Sequence, residues 1–140
     1  MGKDVLVTIK STKKDSDNDT EVIELVSPGT FHKKGNSYYI LYPETVISGT
    51  ENSTTSVKVA ADKVTIVRSG HINMRQVFEK GKLHRSVYQT PFGSMDMTVL
   101  PLQIEVDLTD LGGSIKLEYE LTLNDNKLGT NTLEIKVRPK

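Results

Sequence analysis

A run of alternating apolar residues that changes phase halfway constrains this chain more than any other feature. Between Thr90 and Leu108, TPFGSMDMTVLPLQIEVDL, the side chains of Met95, Met97 and Val99 stand on odd positions, whereas those of Leu102, Ile104, Val106 and Leu108 stand on even ones. A strand repeats its faces every two residues, so half of the run would be turned inside out unless the backbone absorbed an extra residue. Pro101 stands at the slip. Proline is confined to edges and bulges in sheets, so the run reads as one long strand with a bulge or corner at Leu100-Pro101. Strands bent in this way belong to barrels and strongly coiled sheets.

The rest of the chain carries the same two-residue period. Val5, Val7 and Ile9 alternate with polar neighbours, and the polar loop Ser11 to Asp19 separates them from a second strand over Glu21 to Val26. Pro28-Gly29 interrupts that strand, and Thr30-Phe31-His32 continues it beyond a bend. Lys34-Gly35-Asn36 marks a hairpin into Ser37 to Tyr42. Glu44 to Thr55 reads as a long loop or an edge bend. Strands follow over Ser56 to Ala61, Lys63 to Arg68, Asn73 to Glu79 and Leu83 to Gln89. The clearest alternation comes last, with Ile115, Leu117, Tyr119, Leu121 and Leu123 on one face, and then Leu133, Ile135 and Val137 beyond the turn Asn124-Asp125-Asn126. No stretch carries a helical period. About eight to ten strands joined by short connections make an antiparallel meander. Such a meander hides its edges best by closing, which favours an up-and-down closed β-barrel, all-β, over a two-sheet sandwich.

At 140 residues the chain fits one domain, 1–140, large enough to bury a core. Lys+Arg and Asp+Glu both number 18, so no overall field attracts nucleic acid or an anionic membrane. The absence of cysteine excludes disulfides, thiolate catalysis and zinc ribbons. The start, MGKDVLVTIK, has no apolar core of a leader peptide and no run reaches membrane-spanning length, so a cytoplasmic, soluble protein is expected. Asp15 to Asp19 imitates the opening of a calcium loop, but Thr20 stands where glycine is required and Val26 where glutamate is. His32, His71 and His84 show no metal-ligand spacing, and no nucleophile motif is present. No enzyme activity, cofactor or metal is therefore expected. The triplets Asn18-Asp19-Thr20 and Asn52-Ser53-Thr54 read as polar turn residues.

Several segments in order along the chain point to a family: YYILYPE (Tyr38 to Glu44), VTIVRSG (Val64 to Gly70), VFEKGKLHRSVYQTPFG (Val77 to Gly93) and IKLEYELTLN (Ile115 to Asn124). Together they resemble the bacterial YwiB-like proteins, a calycin-like β-barrel family of unknown function, and Tyr88-x-Thr90-Pro91-x-Gly93 is the most specific part. The resemblance implies a small closed barrel akin to lipocalins and fatty-acid-binding proteins. It implies no activity.

Four polar residues fall on faces that the alternation marks as apolar. Tyr42 is in phase with Ile40, Arg68 with Val64 and Ile66, Arg85 with Leu83 and Val87, and Tyr119 with Leu117 and Leu121. If these faces line the barrel, two guanidiniums and two phenols can clamp a carboxylate or phosphate, as the resemblance to fatty-acid-binding proteins also suggests. Alternatively they sit at the rim with their stems packed and their heads in water. Two functions follow. The first is a non-catalytic barrel that binds a small, partly apolar anionic or lipid-like molecule. The second is a protein-interaction or homodimerising module with a filled barrel, using a strand edge or the Tyr39 and Leu41 face. Interior volume separates them, an empty polar-lined cavity of about 300 Å³ or more favouring the ligand. The basic group Lys80, Lys82, His84 and Arg85 near Tyr88 and Phe92 is offset by Glu79 and by the neutral total, which argues against nucleic acid.

Overall fold

A computed structural model describes residues 2–15, 17, 19–43, 53–70 and 73–140. Ten strands run in chain order: β1 (Lys3–Lys14), β2 (Thr20–Lys34), β3 (Ser37–Pro43), β4 (Thr54–Val59), β5 (Val64–Ser69), β6 (Met74–Phe78), β7 (His84–Thr90), β8 (Gly93–Thr109), β9 (Gly112–Leu123) and β10 (Asn126–Pro139). Among the described residues there is no helix. Most of the Glu44 to Thr55 stretch lies outside the described residues, and so does Asn52. Of that stretch, Ser53 is buried and Thr54 opens β4.

All ten strands belong to one antiparallel sheet with the order β6-β5-β4-β3-β2-β1-β10-β9-β8-β7. Every ladder but one joins strands that follow each other in the chain. The exception pairs β1 with β10 from Val5–Pro139 to Lys14–Thr130, so the first and last strands stitch the wall together. The two sheet edges are β6 and β7, which are sequence neighbours, and among the described residues they meet through one bridge, Asn73–Gln89. The result is a nearly closed barrel whose seam falls in the middle of the chain.

β8 carries the phase slip. Met97, Val99 and Pro101 are buried on odd positions, and beyond the slip Ile104 and Leu108 turn inward on even ones. Tyr119 of β9 pairs with Pro101, and Glu118 pairs with Gln103, so Leu102 is the extra residue. The bulge sits just after the proline, where the sequence places it at Leu100-Pro101, and β8 stays one strand of 17 residues. β2 differs more from expectation. It runs unbroken through Pro28, keeping register with β1 at Leu6–Pro28 and Val5–Gly29. β3 pairs with β2 only from Lys34 back to Thr30, so among the described residues Pro28 has no ladder partner on that side. Gly29 permits the close approach, since a Cβ there would lie 2.4 Å from the Leu41 carbonyl oxygen and 3.0 Å from Val7 Cγ2.

Turn chemistry follows the residues. Gly35 (φ 62°) turns β2 into β3, and Asn124 and Asp125 (φ 48° and 67°) turn β9 into β10, as a two-residue hairpin of mirror-image type requires. Asp15 Oδ1 accepts from the amides of Asp17 (2.9 Å) and Asp19 (3.0 Å), making a closed Asx-type turn of the segment that imitates a calcium loop. Residues 16 and 18 of that segment lie outside the described residues.

Inside the barrel, Val7, Ile40, Val57, Val64, Phe78 and Leu117 are buried in one apolar core cluster. The polar residues are gathered toward one end, the end reached by the C-terminal part of β1 and the N-terminal part of β10.

Candidate ligand site at the barrel mouth

At that end a cavity of about 270 Å³ opens between β1, β2, β3, β5, β6, β9 and β10. Three of the four polar residues expected inside line it: Tyr42 from β3, Arg68 from β5 and Tyr119 from β9. Ile9, Ile23, Leu25, Ile66, Met74 and Leu133 supply the apolar wall, with Gln76 and Ser11 adding polar atoms. Strand alternation places each of them. Arg68 is third in the inward row Val64, Ile66, Arg68, and Tyr119 continues Ile115 and Leu117.

Arg85 is a correction. It is exposed on the outer surface, because β7 turns His84, Ser86 and Tyr88 inward and leaves Leu83 (56% exposed) and Val87 (48%) outside. β7 takes its phase from its partner strand, where Ser86 sits opposite the buried Met97. Phe92, at the β7–β8 turn, is 99% exposed and does not plug the barrel.

Tyr119 is the best-defined group of the site. It is 7% exposed and stacks edge-on against Phe78 at 4.9 Å. Burial pushes its phenol up to about 12, with the Arg68 charge partly offsetting that effect. The phenol therefore remains a neutral hydrogen-bond donor at physiological pH. Beside it, Gln76 Nε2 donates to Met97 Sδ at 3.5 Å.

Sequence reasoning missed further inward polar residues, and the same alternation could have found them. Gln76 lies between Met74 and Phe78, Thr55 precedes Val57 and Val59, and Asn131 precedes Leu133 and Ile135. Asn131 is 4% exposed and its Nδ2 has no hydrogen-bond partner among the described residues.

The outer face is occupied by its own side chains. Tyr39 stacks on His32 at 5.0 Å, and Lys58 Nζ lies 5.8 Å from the Tyr39 ring centroid, so Tyr39 is only half-exposed. Glu79 holds Lys82 (3.2 Å) and His84 (3.1 Å), and the Lys82 hydrogen bond draws its carboxyl below the usual range. His71 lies outside the described residues, and no group of three or more metal-ligating side chains occurs among those described. A larger groove of about 430 Å³ lies outside the mouth cavity. It runs along the β9–β10 hairpin, between Lys14, Asp15, Glu120 and Lys127, where charges of both signs face water. No helix of the described residues is long and apolar enough to cross a membrane.

The model of the family described as Domain of unknown function (DUF1934) matches residues 7–135. The chain belongs to the DUF1934 family. Among its relatives is the uncharacterized beta-barrel protein YwiB of Bacillus subtilis, 30% identical over 123 residues, which are 88% of this chain and 84% of that protein. The crystal structure of the Bacillus subtilis ywiB protein superposes with a TM-score of 0.87 at 26% identity, covering 99% of this chain and 93% of that one. The chain is thus a β-barrel protein by kinship as well as by architecture, which agrees with the resemblance drawn from YYILYPE and QTPFG.

Proposed function

We propose that this barrel is a non-catalytic binding protein that takes a small, partly apolar anion, best represented by a short-chain or single-ring carboxylate, into its mouth. One observation carries the reading: Tyr42, Arg68 and Tyr119, from three different strands, face one cavity whose remaining wall is mainly apolar. All three present donors, and a carboxylate is an acceptor in every direction. The Tyr119 phenol, with its proton held to about pH 12, adds a neutral donor that needs no counter-charge. The cavity of about 270 Å³ falls just under the roughly 300 Å³ that would favour a ligand on volume, so volume does not carry the reading; the converging polar groups do, and the size restricts it to a compact ligand. The apolar core cluster lies below the cavity and bounds it on that side.

Thermal unfolding with hexanoate and benzoate tests this. Ligand at 100 times its dissociation constant stabilises by about 2.7 kcal/mol, a Tm rise of roughly 8 °C for a chain of this size. Arg68→Met and Tyr42→Phe are expected to lose most of that shift, and Arg85→Met, on the outer wall, to keep it. No stabilisation of the wild-type protein by either carboxylate would end the reading.

A further inference from the structure

We propose that the seam between β6 and β7 is the gate of this cavity, with β6 as its moving wall; this rests on the ligand reading above. β6 is the shortest strand, five residues, and contributes Met74 and Gln76 to the cavity lining. It forms a ladder on one side only, with β5 from Val64–Phe78 to Arg68–Met74. On the other side it meets β7 through the Asn73–Gln89 bridge, whose two N–H···O bonds measure 3.0 and 2.9 Å. The contrast with β1 and β10, laddered along Val5 to Lys14, locates the weak line of the wall.

The ends of β6 are held differently. At its C-terminal end Phe78 is fully buried against Tyr119, and the next residue, Glu79, contacts both Lys82 and His84. That end is a hinge. At its N-terminal end the bridge is the latch, and the cavity lies behind it. Midway, the buried Gln76 Nε2 reaches across to Met97 Sδ of β8, and a thioether is a weak acceptor, so this second tie is easily broken. Segments with few ties open first and do so without global unfolding.

A disulfide across the latch tests the gate. Asn73 and Gln89 exchange both backbone bonds, a geometry that sets Cα atoms about 5.5 Å apart, within disulfide range. The chain has no cysteine, so Asn73→Cys with Gln89→Cys gives one defined bond. Hexanoate association, followed by nuclear magnetic resonance exchange, is expected to be about ten-fold slower in the oxidised than in the reduced form, with the affinity nearly unchanged. Without ligand, the amides of Met74 and Gln76 are expected to exchange with deuterium faster than those of Leu117 and Ile135, and to slow on oxidation. Met97→Leu, which removes the second tie while keeping volume, is expected to speed both processes. Equal association and equal exchange in the two redox forms would overturn the gate. Should hexanoate bind neither form, the ligand reading falls separately, and β6 exchange that is slow in the reduced form would still overturn the moving wall.

Discussion

Replacing Tyr119 by Phe tests how dry the mouth of the barrel is. The phenol ionises near 10 in an unfolded chain and is pushed up to about 12 here, chiefly by burial. Below pH 10 the folded and unfolded chains both hold the proton, and the residue adds no pH dependence. Between pH 10 and 12 the unfolded chain gives up its proton first, so stability falls as pH rises. At 1.36 kcal/mol per unit, a rise of about two units costs roughly 2.7 kcal/mol by pH 12. The quantity to measure is the difference between wild type and Tyr119→Phe, which cancels what the two proteins share. Urea unfolding by circular dichroism at stepped alkaline pH supplies it, and tyrosinate absorbance supplies the companion titration of the native state. The gap is expected to widen in favour of the Phe variant above pH 10, and the variant to lack a phenol ionising near pH 12. Parallel stability curves through pH 12 would refute the claim that this hydroxyl is buried.

Three further substitutions probe the wall and the core. Gly29→Ala places a methyl 2.4 Å from the Leu41 carbonyl oxygen and is expected to cost about 2–3 kcal/mol in urea unfolding. Asn131→Leu removes a buried donor that has no partner among the described residues, a burden of about 1–3 kcal/mol, so the variant is expected to melt higher than wild type. Deleting Leu102 takes out the extra residue and leaves Gln103 opposite Glu118 and Ile104 opposite Leu117, so Ile104 and Leu108 keep facing inward and cooperative unfolding is expected to survive; its loss would refute the register. Leu102→Lys, at a position 42% exposed, is expected to change stability by less than about 0.5 kcal/mol.

How much was legible from the residues depended on whether a strand's two faces differed. β8 and β9 have one apolar face each, and their alternation located the bulge near Pro101 and put Tyr119 inside. Tyr42 and Arg68 followed from the same logic on β3 and β5. β7 has two mixed faces, with Leu83, Arg85 and Val87 on one and His84, Ser86 and Tyr88 on the other. Its phase comes from Met97 across the ladder and not from its own composition, so Arg85 was misplaced. Pro28 looked like an interruption because proline breaks central ladders, yet among the described residues β2 is laddered on one side only at that point. The place of the seam was hidden for a related reason. Hairpin spacing orders the strands, but whether β6 and β7 zip together is decided by the curvature of the whole wall.

Intermolecular nuclear Overhauser effects between hexanoate and the methyl groups of the protein test the central claim most directly. Contacts from the alkyl chain to Ile9, Ile66 and Leu133 are expected, with the amide of Arg68 shifting and the outer face of β3 and β4 silent. Contacts confined to the groove beside Lys14 and Lys127, or none at saturating ligand, would contradict it.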